Sequence, residues 1–370
     1  MEKIKIIRSE LVRVMYDGSV FAGQTRIMPV LDNVCITTKD NRIRIESSDS
    51  SNYVRSYGIC NTTADISFCV NAKEFASYIE LLNEDNILIN YDSDKNQIII
   101  NHSSGEIKLP TISSDEFPVM KPIKETTKIE MPGDIFAGWL NKASNFAMKG
   151  DMGVVLEGIY IYANSEYIGV CGGEHAHIFT ARIPNTDNIP DFSIVLPQKS
   201  ASIMSRMCSN ADKVTLVQDE NALYIRTENT IVYSTLLSMK YPNVDSLFKQ
   251  KSNRQVSIEK TALLQSIRRI ESQIVKDSES LHLCCTGSVL ELSYDVIYEH
   301  SKYLRESVPC EGCSFDDVIV NIKRIKNILN NYNGEKVLLY HDNSERSPFF
   351  FESRYNDSLE WFLLAVMVKQ

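Results

Sequence analysis

The chain has 370 residues, of which 43% are hydrophobic and 24% charged, and its formal net charge is −9. This composition is typical of a globular protein with enough apolar material for a core, and it excludes a disordered or collagen-like chain. No apolar run of about 18 residues occurs, and the N-terminus lacks the apolar stretch of a signal peptide, so we expect a soluble, cytoplasmic protein without membrane contact. Nine cysteines, an odd number, are scattered through apolar segments, which indicates buried free thiols.

The chain repeats itself at intervals of about 125 residues. Residues 30–36 read VLDNVCI, residues 155–161 read VLEGIYI, and a fainter LHL follows at 281–283. Each copy also contains a lysine that opens an amphipathic run: Lys73, Lys199 and Lys323. Because a solenoid unit has only about 20–50 residues, a repeat of this length is a whole domain. We therefore predict three tandem domains, at 1–125, 126–251 and 252–370, with linkers near 121–128 and 248–254.

Two amphipathic helices are predicted in each domain. The first helices are expected at 9–17, 134–149 and 259–271, and their N-cap candidates are Ser9, Asp134 and Ser257. The second helices begin near the recurrent lysines, at 73–82, 199–207 and 323–332.

Strand patterns follow the helices in the same order. A strand pair is predicted after the first helix of the first two domains, at 34–36 with 42–45 and at 158–161 with 168–170. A hairpin begins 14 or 15 residues after each lysine, at 87–91 with 98–100, 214–217 with 223–225, and 337–340 with 349–351. The pattern predicts an α+β fold in which helices cover one side of antiparallel sheets.

No catalytic or nucleotide-binding motif is present, since the chain lacks GxSxG, a Walker loop, HExxH and a dinucleotide fingerprint. Cys310 and Cys313 have CxxC spacing, and His175 and His177 are possible metal ligands. A structural zinc site needs four ligands, however, and no second cysteine pair has matching spacing. We place the CxxC segment in a surface loop before a strand at 318–320. The sequence therefore predicts no catalytic residue, no metal site and no cofactor.

The triple repeat and several short motifs resemble the bacterial DNA polymerase III beta subunit, the sliding clamp. The motifs are MPVLDNV at 28–34, DEFP at 115–118, YP at 241–242 and WFLLAVM at 361–367. The resemblance covers essentially the whole chain. It implies a non-catalytic homodimer in which two three-domain chains close head to tail into a ring around duplex DNA, with helices lining the hole and sheets outside. The implied protein partners are the DNA polymerase III alpha subunit, a clamp loader and other proteins with a clamp-binding motif.

The charge distribution gives a separate test. The six predicted helices, counted with their flanking residues, contain 12 Lys and Arg against 7 Asp and Glu, so they carry +5 and the rest of the chain carries −14. A basic set of helices in an acidic molecule suits a ring that attracts phosphates only in its hole. None of the helices has a base-reading motif, which is consistent with contacts that do not depend on DNA sequence.

Candidate site residues follow from position in the family and from charge. By resemblance, Gln198, Lys199 and the neighbourhoods of Arg26 and Lys149 contact DNA, and charge adds Lys73, Lys323, Arg268 and Arg269. The alternative for each cation is an ordinary solvated surface residue. The partner-peptide pocket implied by the resemblance is lined by Leu156, Gly173, His175, His177, Ile178, Pro242, Leu247, Leu363, Ala365 and Met367. Such apolar grooves capture short linear motifs. The alternative is that the apolar residues belong to the core, and it applies most strongly to Leu156 and Leu363.

The resemblance also implies a dimer interface, with Ile107 of one chain against Ile274 and Val275 of the other. An apolar strand edge favours a covering chain, and core packing of Ile107 is the alternative.

The sequence departs from the family at the pocket. Residues 173–178 read GEHAHI where the family has TDGHRL, Val366 replaces a common proline, and Ser246 replaces a usual arginine. We therefore expect an altered partner motif, as in a specialised clamp of a phage or mobile element. A second alternative is an open arc that binds only proteins and does not encircle DNA.

Overall fold

The structure, a computed structural model, describes residues 1–23, 28–122, 127–150, 154–219, 221–249, 251–274, 279–295, 303–344 and 346–367. The chain divides into two compact units. The first consists of Met1–Ala137 with Ile203–Leu236, and the second of Gly138–Ser202 with Leu237–Gln370.

The helices are α1 (Arg8–Gly18), α2 (Ala72–Leu81), α3 (Gly133–Phe146), α4 (Gln198–Cys208), α5 (Asp245–Phe248), α6 (Lys260–Glu271) and α7 (Ile322–Asn331). Short 3-10 turns lie at Pro29–Asp32, Ser114–Glu116 and Val155–Glu157.

Twenty-five strands are present in the described part of the chain. In the first unit they are β1 (Glu2–Ile7), β2 (Asn33–Lys39), β3 (Arg42–Ser48), β4 (Asn52–Ile59), β5 (Asn61–Thr62), β6 (Ile66–Asn71), β7 (Asn86–Asp92), β8 (Gln97–His102), β9 (Gly105–Ile112), β10 (Thr127–Pro132), β15 (Lys213–Asp219), β16 (Ala222–Arg226) and β17 (Thr230–Thr235). In the second unit they are β11 (Gly158–Ala163), β12 (Tyr167–Gly173), β13 (His177–Pro184), β14 (Phe192–Pro197), β18 (Gln255–Glu259), β19 (Ser280–Cys285), β20 (Val289–Asp295), β21 (Tyr303–Gly312), β22 (Phe315–Asn321), β23 (Lys336–Tyr340), β24 (Phe349–Tyr355) and β25 (Ser358–Leu364).

The element order repeats three times. Strand, helix, four strands, helix and three strands follow one another from β1, from β10 and from β18, apart from the two-residue β5 and the short α5. Each unit contains one antiparallel sheet. The first has the order β10-β15-β16-β17-β4-β3-β2-β6-β9-β8-β7-β1-β5, and the second β14-β11-β12-β13-β25-β24-β23-β18-β21-β20-β19-β22. The predicted α+β class with antiparallel sheets is therefore confirmed.

The helices pack through the apolar stripes that the sequence predicted. In α7 the buried residues are Ile322, Ile325, Ile328 and Leu329, a spacing that forms one helical face. Fully burying one such side chain stabilises the fold by about 1.5–3 kcal/mol. In the first unit, α1 and α2 cover a cluster that includes Ile36, Ile45 and Phe68 from the strands beneath them.

The predicted N-caps of the first helices are wrong. Each helix continues directly from a strand, so Ser9 and Asp134 lie inside α1 and α3, and Ser257 lies in β18. A backbone carbonyl from another segment accepts a hydrogen bond from the first helical N–H instead. The N–H of Arg8 donates to Asp85 O (2.9 Å), that of Gly133 to Asp212 O (3.3 Å) and that of Lys260 to Glu335 O (2.7 Å). These bonds satisfy a group that would otherwise need a side-chain cap.

Helix α3 is shorter than predicted because the chain turns away after Phe146. The N–H of Met148 donates to Leu156 O (2.9 Å), so it leaves the helical hydrogen-bond pattern. Lys149 therefore lies in the segment after the helix and is exposed.

The cysteines are free, and seven of the nine are buried, as predicted. The surface loop predicted for the CxxC segment is wrong for Cys310, which is buried in β21 opposite Ile258 of β18. Cys313 is half-buried and does lie in the connection between β21 and β22. The Cys310 sulfur lies 3.6 Å from that of Cys285. Among the described residues, no helix has both the length and the apolarity needed to cross a membrane.

Candidate functional site

The six helices of ten or more residues form the basic part of this acidic chain. They contain twelve Lys and Arg against six Asp and Glu, a net of +6, whereas the whole chain carries −9. The excess lies in α4, α6 and α7, which together carry +7. A potential of this sign attracts phosphate oxygens.

Most of the predicted DNA-contacting residues are exposed. Those outside any ion pair described here are Lys73 on α2, Lys149 after α3, Lys199 on α4 and Arg268 on α6. Lys323 is exposed but pairs with Glu279 (2.5 Å), and Arg269 pairs with Glu306 (2.6 Å). Arg26 lies outside the described residues.

Gln198 is the first residue of α4 and is half-buried. Its Nε2 donates to the carbonyl oxygen of Ser144 (3.2 Å) and approaches Ser202 Oγ (3.4 Å). Its side chain is thus held by the protein itself, next to the exposed Lys199.

The predicted pocket residues of the second unit gather around two neighbouring strands. On β13, Ile178 pairs with Leu363 of β25, and the β12–β13 hairpin sets Gly173 opposite Ile178. Beyond β25, the N–H of Ala365 donates to Ala176 O (2.8 Å) and that of Met367 to Ile319 O (2.7 Å). The first bond extends the pairing of β25 with β13, and the second is an isolated bridge from Met367 to β22.

Two apolar clusters meet at Ile178. One contains Tyr241 and Val244 with half-buried Leu156, and the other contains Leu363, Phe350 and Phe248. Both clusters are only partly covered, because Leu156, Ile178 and Phe248 are half-buried. Leu247 is 38% exposed and Pro242 is exposed beside them. An exposed apolar rim over a buried apolar floor is the arrangement that receives anchor side chains of a peptide.

Sequence reasoning missed the aromatic part of this region. Phe248 of α5 packs edge-on against Phe350 (centroids 5.9 Å apart) and lies 6.3 Å from Trp361. Lys251 Nζ lies 3.7 Å above the centroid of Tyr340 and 4.3 Å above that of Trp361, and it pairs with Glu352 (3.3 Å). Such contacts are favourable when the cation is partly desolvated. Only the apolar run at 361–367 gave a signal in the sequence.

A polar cluster borders the pocket strand. His177 is buried, with Nδ1 3.0 Å from Glu174 Oε1 and Nε2 3.2 Å from Asn327 Nδ2. Arg324 Nε donates to the same Glu174 oxygen at 2.8 Å. Burial lowers the pKa of His177, and Glu174 opposes that shift. His175, by contrast, is exposed, so the two histidines of the HAH segment are not brought together as ligands. Within the described ranges, no group of three or more His, Cys, Asp or Glu is arranged to hold a metal ion.

Strands β9 and β21 each have one edge that is unpaired over most of its length in the described chain. Residues 105–110 of β9 pair with β8, and only Thr111 and Ile112 pair with β6 on the other side. Residues 303–309 of β21 pair with β20, and only 310–312 pair with β18. Ile107 lies on the first of these strands, where it is half-buried and packs against the core cluster beneath α1 and α2. Ile274 is half-buried just after α6, and Val275 lies outside the described residues.

Comparison with known proteins connects this fold to one family. Residues 2–121 match the family model described as DNA polymerase III beta subunit, N-terminal domain. The chain is 21% identical over 298 residues to the beta sliding clamp of Rickettsia bellii (strain RML369-C), covering 79% of this chain and 78% of that relative. It is 23% identical over 280 residues to the beta sliding clamp of Bacillus subtilis (strain 168), covering 72% and 73%.

The fold itself matches over its full length. A crystal structure of a sliding clamp, DNA polymerase III subunit beta, from Pseudomonas aeruginosa superposes with a TM-score of 0.91 at 14% identity, covering 100% of both chains. The whole chain therefore has the fold of the beta sliding clamps, and residues 2–121 also match the N-terminal-domain model of the DNA polymerase III beta subunit.

Proposed function

We propose that the chain is a cytoplasmic DNA sliding clamp, which encircles duplex DNA as a homodimer of three-domain chains and tethers the DNA polymerase III alpha subunit and other replication and repair proteins. A closed ring holds DNA topologically, so weak contacts without sequence preference are enough for processive synthesis. A clamp loader is needed to open it.

The pairing of the repeated strands carries this proposal. The last strand of the second repeat, β17, pairs with β4 of the first, and the last strand of the third, β25, pairs with β13 of the second. In both cases the last strand of one repeat pairs with the third of the four long strands that follow the first helix of the preceding repeat. By the same rule β9, the last strand of the first repeat, matches β21 of a third repeat, and these two strands have no such partner within the described chain. If β9 of one chain pairs with β21 of another, two copies close head to tail with two identical contacts. Ile107 would then lie in the interface, and covering that edge would remove a site of aggregation.

The charge and the apolar region support the two binding roles. Lys149, Lys199 and the basic helices supply sequence-independent phosphate contacts, for which Gln198 and Lys73 are further candidates. The cluster around Ile178 and Leu363 offers anchor sites for a short peptide segment. Since Ser246 and the GEHAHI segment differ from the family pattern, we propose that the partner motif differs as well.

The test is retention on DNA. The purified chain is loaded onto nicked circular DNA by an active clamp loader, and the bound fraction is followed before and after the circle is linearised. We expect a dimer by native mass that stays on circles, even in salt that abolishes binding to short linear duplexes, and that is lost from linear ends. The variant Lys149→Glu/Lys199→Glu should load less efficiently yet remain on circles once loaded. A monomer, or equal loss from circular and linear DNA after proven loading of a reference clamp, would favour the open protein scaffold.

A further inference from the structure

A pair of cysteines faces each other across two neighbouring strands in the first unit. Cys35 of β2 and Cys69 of β6 are directly opposed in the antiparallel register. Opposed residues of such strands project their side chains to the same face, with Cα atoms about 4.5–5.5 Å apart. Disulfides span Cα distances of about 4.4–6.8 Å. The backbone therefore already allows a bond between these two sulfurs.

Both residues are buried, with 5% of Cys35 and 0% of Cys69 exposed, but only Cys35 lines a surface cavity. Cys35 lines a surface cavity of about 130 Å³, together with Thr37, Ser67, half-buried Pro118 and exposed Val119. Cys69 is completely buried and does not line the cavity. A small reagent can therefore reach Cys35 first, and Cys69 only through Cys35.

The two thiols also differ in pKa. The interaction between the two thiols lowers the pKa of Cys35 to about 7, against the effect of burial, and raises that of Cys69. Ser67 Oγ, 3.8 Å from Cys35 Sγ, adds to the effect. Glu46 opposes it, but the Glu46 carboxylate is engaged by Arg55 (2.5 Å) and Arg44 (2.9 Å). The thiolate is therefore favoured at Cys35, the cysteine that lines the cavity, and a thiolate is the form in which cysteine acts as a nucleophile.

We propose that Cys35 and Cys69 are a thiol–disulfide exchange pair whose substrate is a low-molecular-weight disulfide. The Cys35 thiolate attacks one sulfur of the substrate R–S–S–R, a mixed disulfide forms, and one RS⁻ leaves and takes up the Cys69 proton. The Cys69 thiolate then attacks Cys35 Sγ, and the second RS⁻ leaves and is protonated by solvent. Two protein thiols are oxidised and the substrate is reduced to two RSH. The product is a cross-strand bond between β2 and β6.

A second cysteine pair in the chain serves as the matched control. The sulfurs of Cys285 and Cys310 are 3.6 Å apart, and both residues are buried. Burial raises the pKa of Cys310 to about 12, and neither residue lines the cavity beside Cys35. The exposed fraction does not separate the two pairs, since Cys310 is 8% exposed and Cys35 is 5% exposed. What distinguishes Cys35 from Cys310 is its place in the wall of the cavity and its lowered pKa.

The experiment uses the full chain, fully reduced and folded, with glutathione disulfide as the probe. Samples are quenched with iodoacetamide over time and mapped by peptide mass spectrometry. We expect a Cys35–Cys69 link, with loss of two hydrogen atoms, at least tenfold faster than any product at Cys285 or Cys310, and its removal by dithiothreitol. In Cys69→Ser, glutathione should remain on Cys35, and in Cys35→Ser, Cys69 should stay unmodified.

The mapping of the unmodified chain does not depend on whether the variants fold. The proposal would be overturned if Cys35 and Cys69 stayed reduced while Cys285 and Cys310 reacted. Equal rates of reaction with glutathione disulfide at the two pairs would overturn it as well. So would a folded Cys69→Ser protein in which Cys35 acquires glutathione no faster than the buried Cys208.

Discussion

Replacing Glu360 with leucine should destabilise the second unit severely, because this carboxylate is the centre of a buried polar cluster. Lys142 Nζ lies 2.5 Å from Glu360 Oε1, and the side chains of Asn333 and Ser353 each donate to Oε2 at 2.9 Å. The side chains of Lys142 and Glu360 are only 13% and 1% exposed. Burial lowers the pKa of Lys142, and the Glu360 charge counteracts that shift.

The expected loss in free energy of unfolding depends on which charged group remains buried without its partner. Glu360→Leu leaves the Lys142 ammonium buried without its carboxylate, which costs about 3–5 kcal/mol. Lys142→Met should cost less, since Asn333 and Ser353 still donate to the remaining carboxylate. The double variant, Lys142→Met/Glu360→Leu, removes both charges and should recover part of the loss. Glu360 lies on β25, which also carries Leu363. We therefore expect the apolar region around Leu363 to unfold at a lower denaturant concentration in Glu360→Leu than in the unmodified chain.

The assay must resolve one part of a large chain, since a single two-state transition is not expected for several domains. Hydrogen exchange of the amides in β25 and β13, followed by mass spectrometry across a urea series, gives the local free energy of opening. The matched control is Glu106→Gln, which breaks the exposed Lys108–Glu106 pair (2.9 Å) and should change stability by less than about 1 kcal/mol. A Glu360→Leu protein that opens with an unchanged free energy, or single variants whose costs simply add in the double variant, would refute the reasoning.

Three further predictions concern the proposed binding surfaces. Ile107→Asp should shift the native mass from dimer to monomer and abolish retention on circular DNA, whereas the exposed Ile59→Asp should leave the dimer intact. Leu247→Asp, at a side chain already 38% exposed, should weaken binding of a partner peptide at least tenfold in a fluorescence titration without lowering the thermal midpoint. Because burial lowers the pKa of His177, the unfolded chain binds more protons than the folded one below about pH 6.5. The free energy of unfolding should therefore be highest above that pH and decrease as the pH falls through it. The decrease should be smaller in His177→Gln, and an equal pH dependence in both proteins would contradict this.

The helices and strands were predictable because their signal is local. The apolar spacing of α7 and the alternation in the hairpins after Lys73, Lys199 and Lys323 depend only on neighbours in sequence. The helix starts were not predictable, because the caps come from distant carbonyls. The bond from the Arg8 N–H to Asp85 O leaves no trace in the residue type at either position.

The candidate site was predictable only in part, because many of its contacts also join residues that are distant in sequence. The resemblance located Ile178 and Leu363, which the structure pairs across β13 and β25. It gave no indication of the Lys251 contact with Tyr340 and Trp361, nor of the Lys142–Glu360 pair, whose members are 218 residues apart. These contacts arise from sheet pairing over long sequence separations, which composition and periodicity do not encode.

The strand edges also explain why the proposed ring contact should be weaker than the contacts within the chain. Inside the first unit, β17 and β4 set Tyr233 opposite Tyr53, and both rings are buried. The unpaired edges instead carry exposed charges, namely Glu106 and Lys108 on β9 and Arg305 on β21. Main-chain hydrogen bonds supply a similar gain at every strand pair, whereas aromatic and β-branched cross-strand pairs add about 0.2–1 kcal/mol each. A contact made from the same backbone pairing without the aromatic pairs would hold the ring closed and still let a loader open it, and raised salt should weaken it selectively.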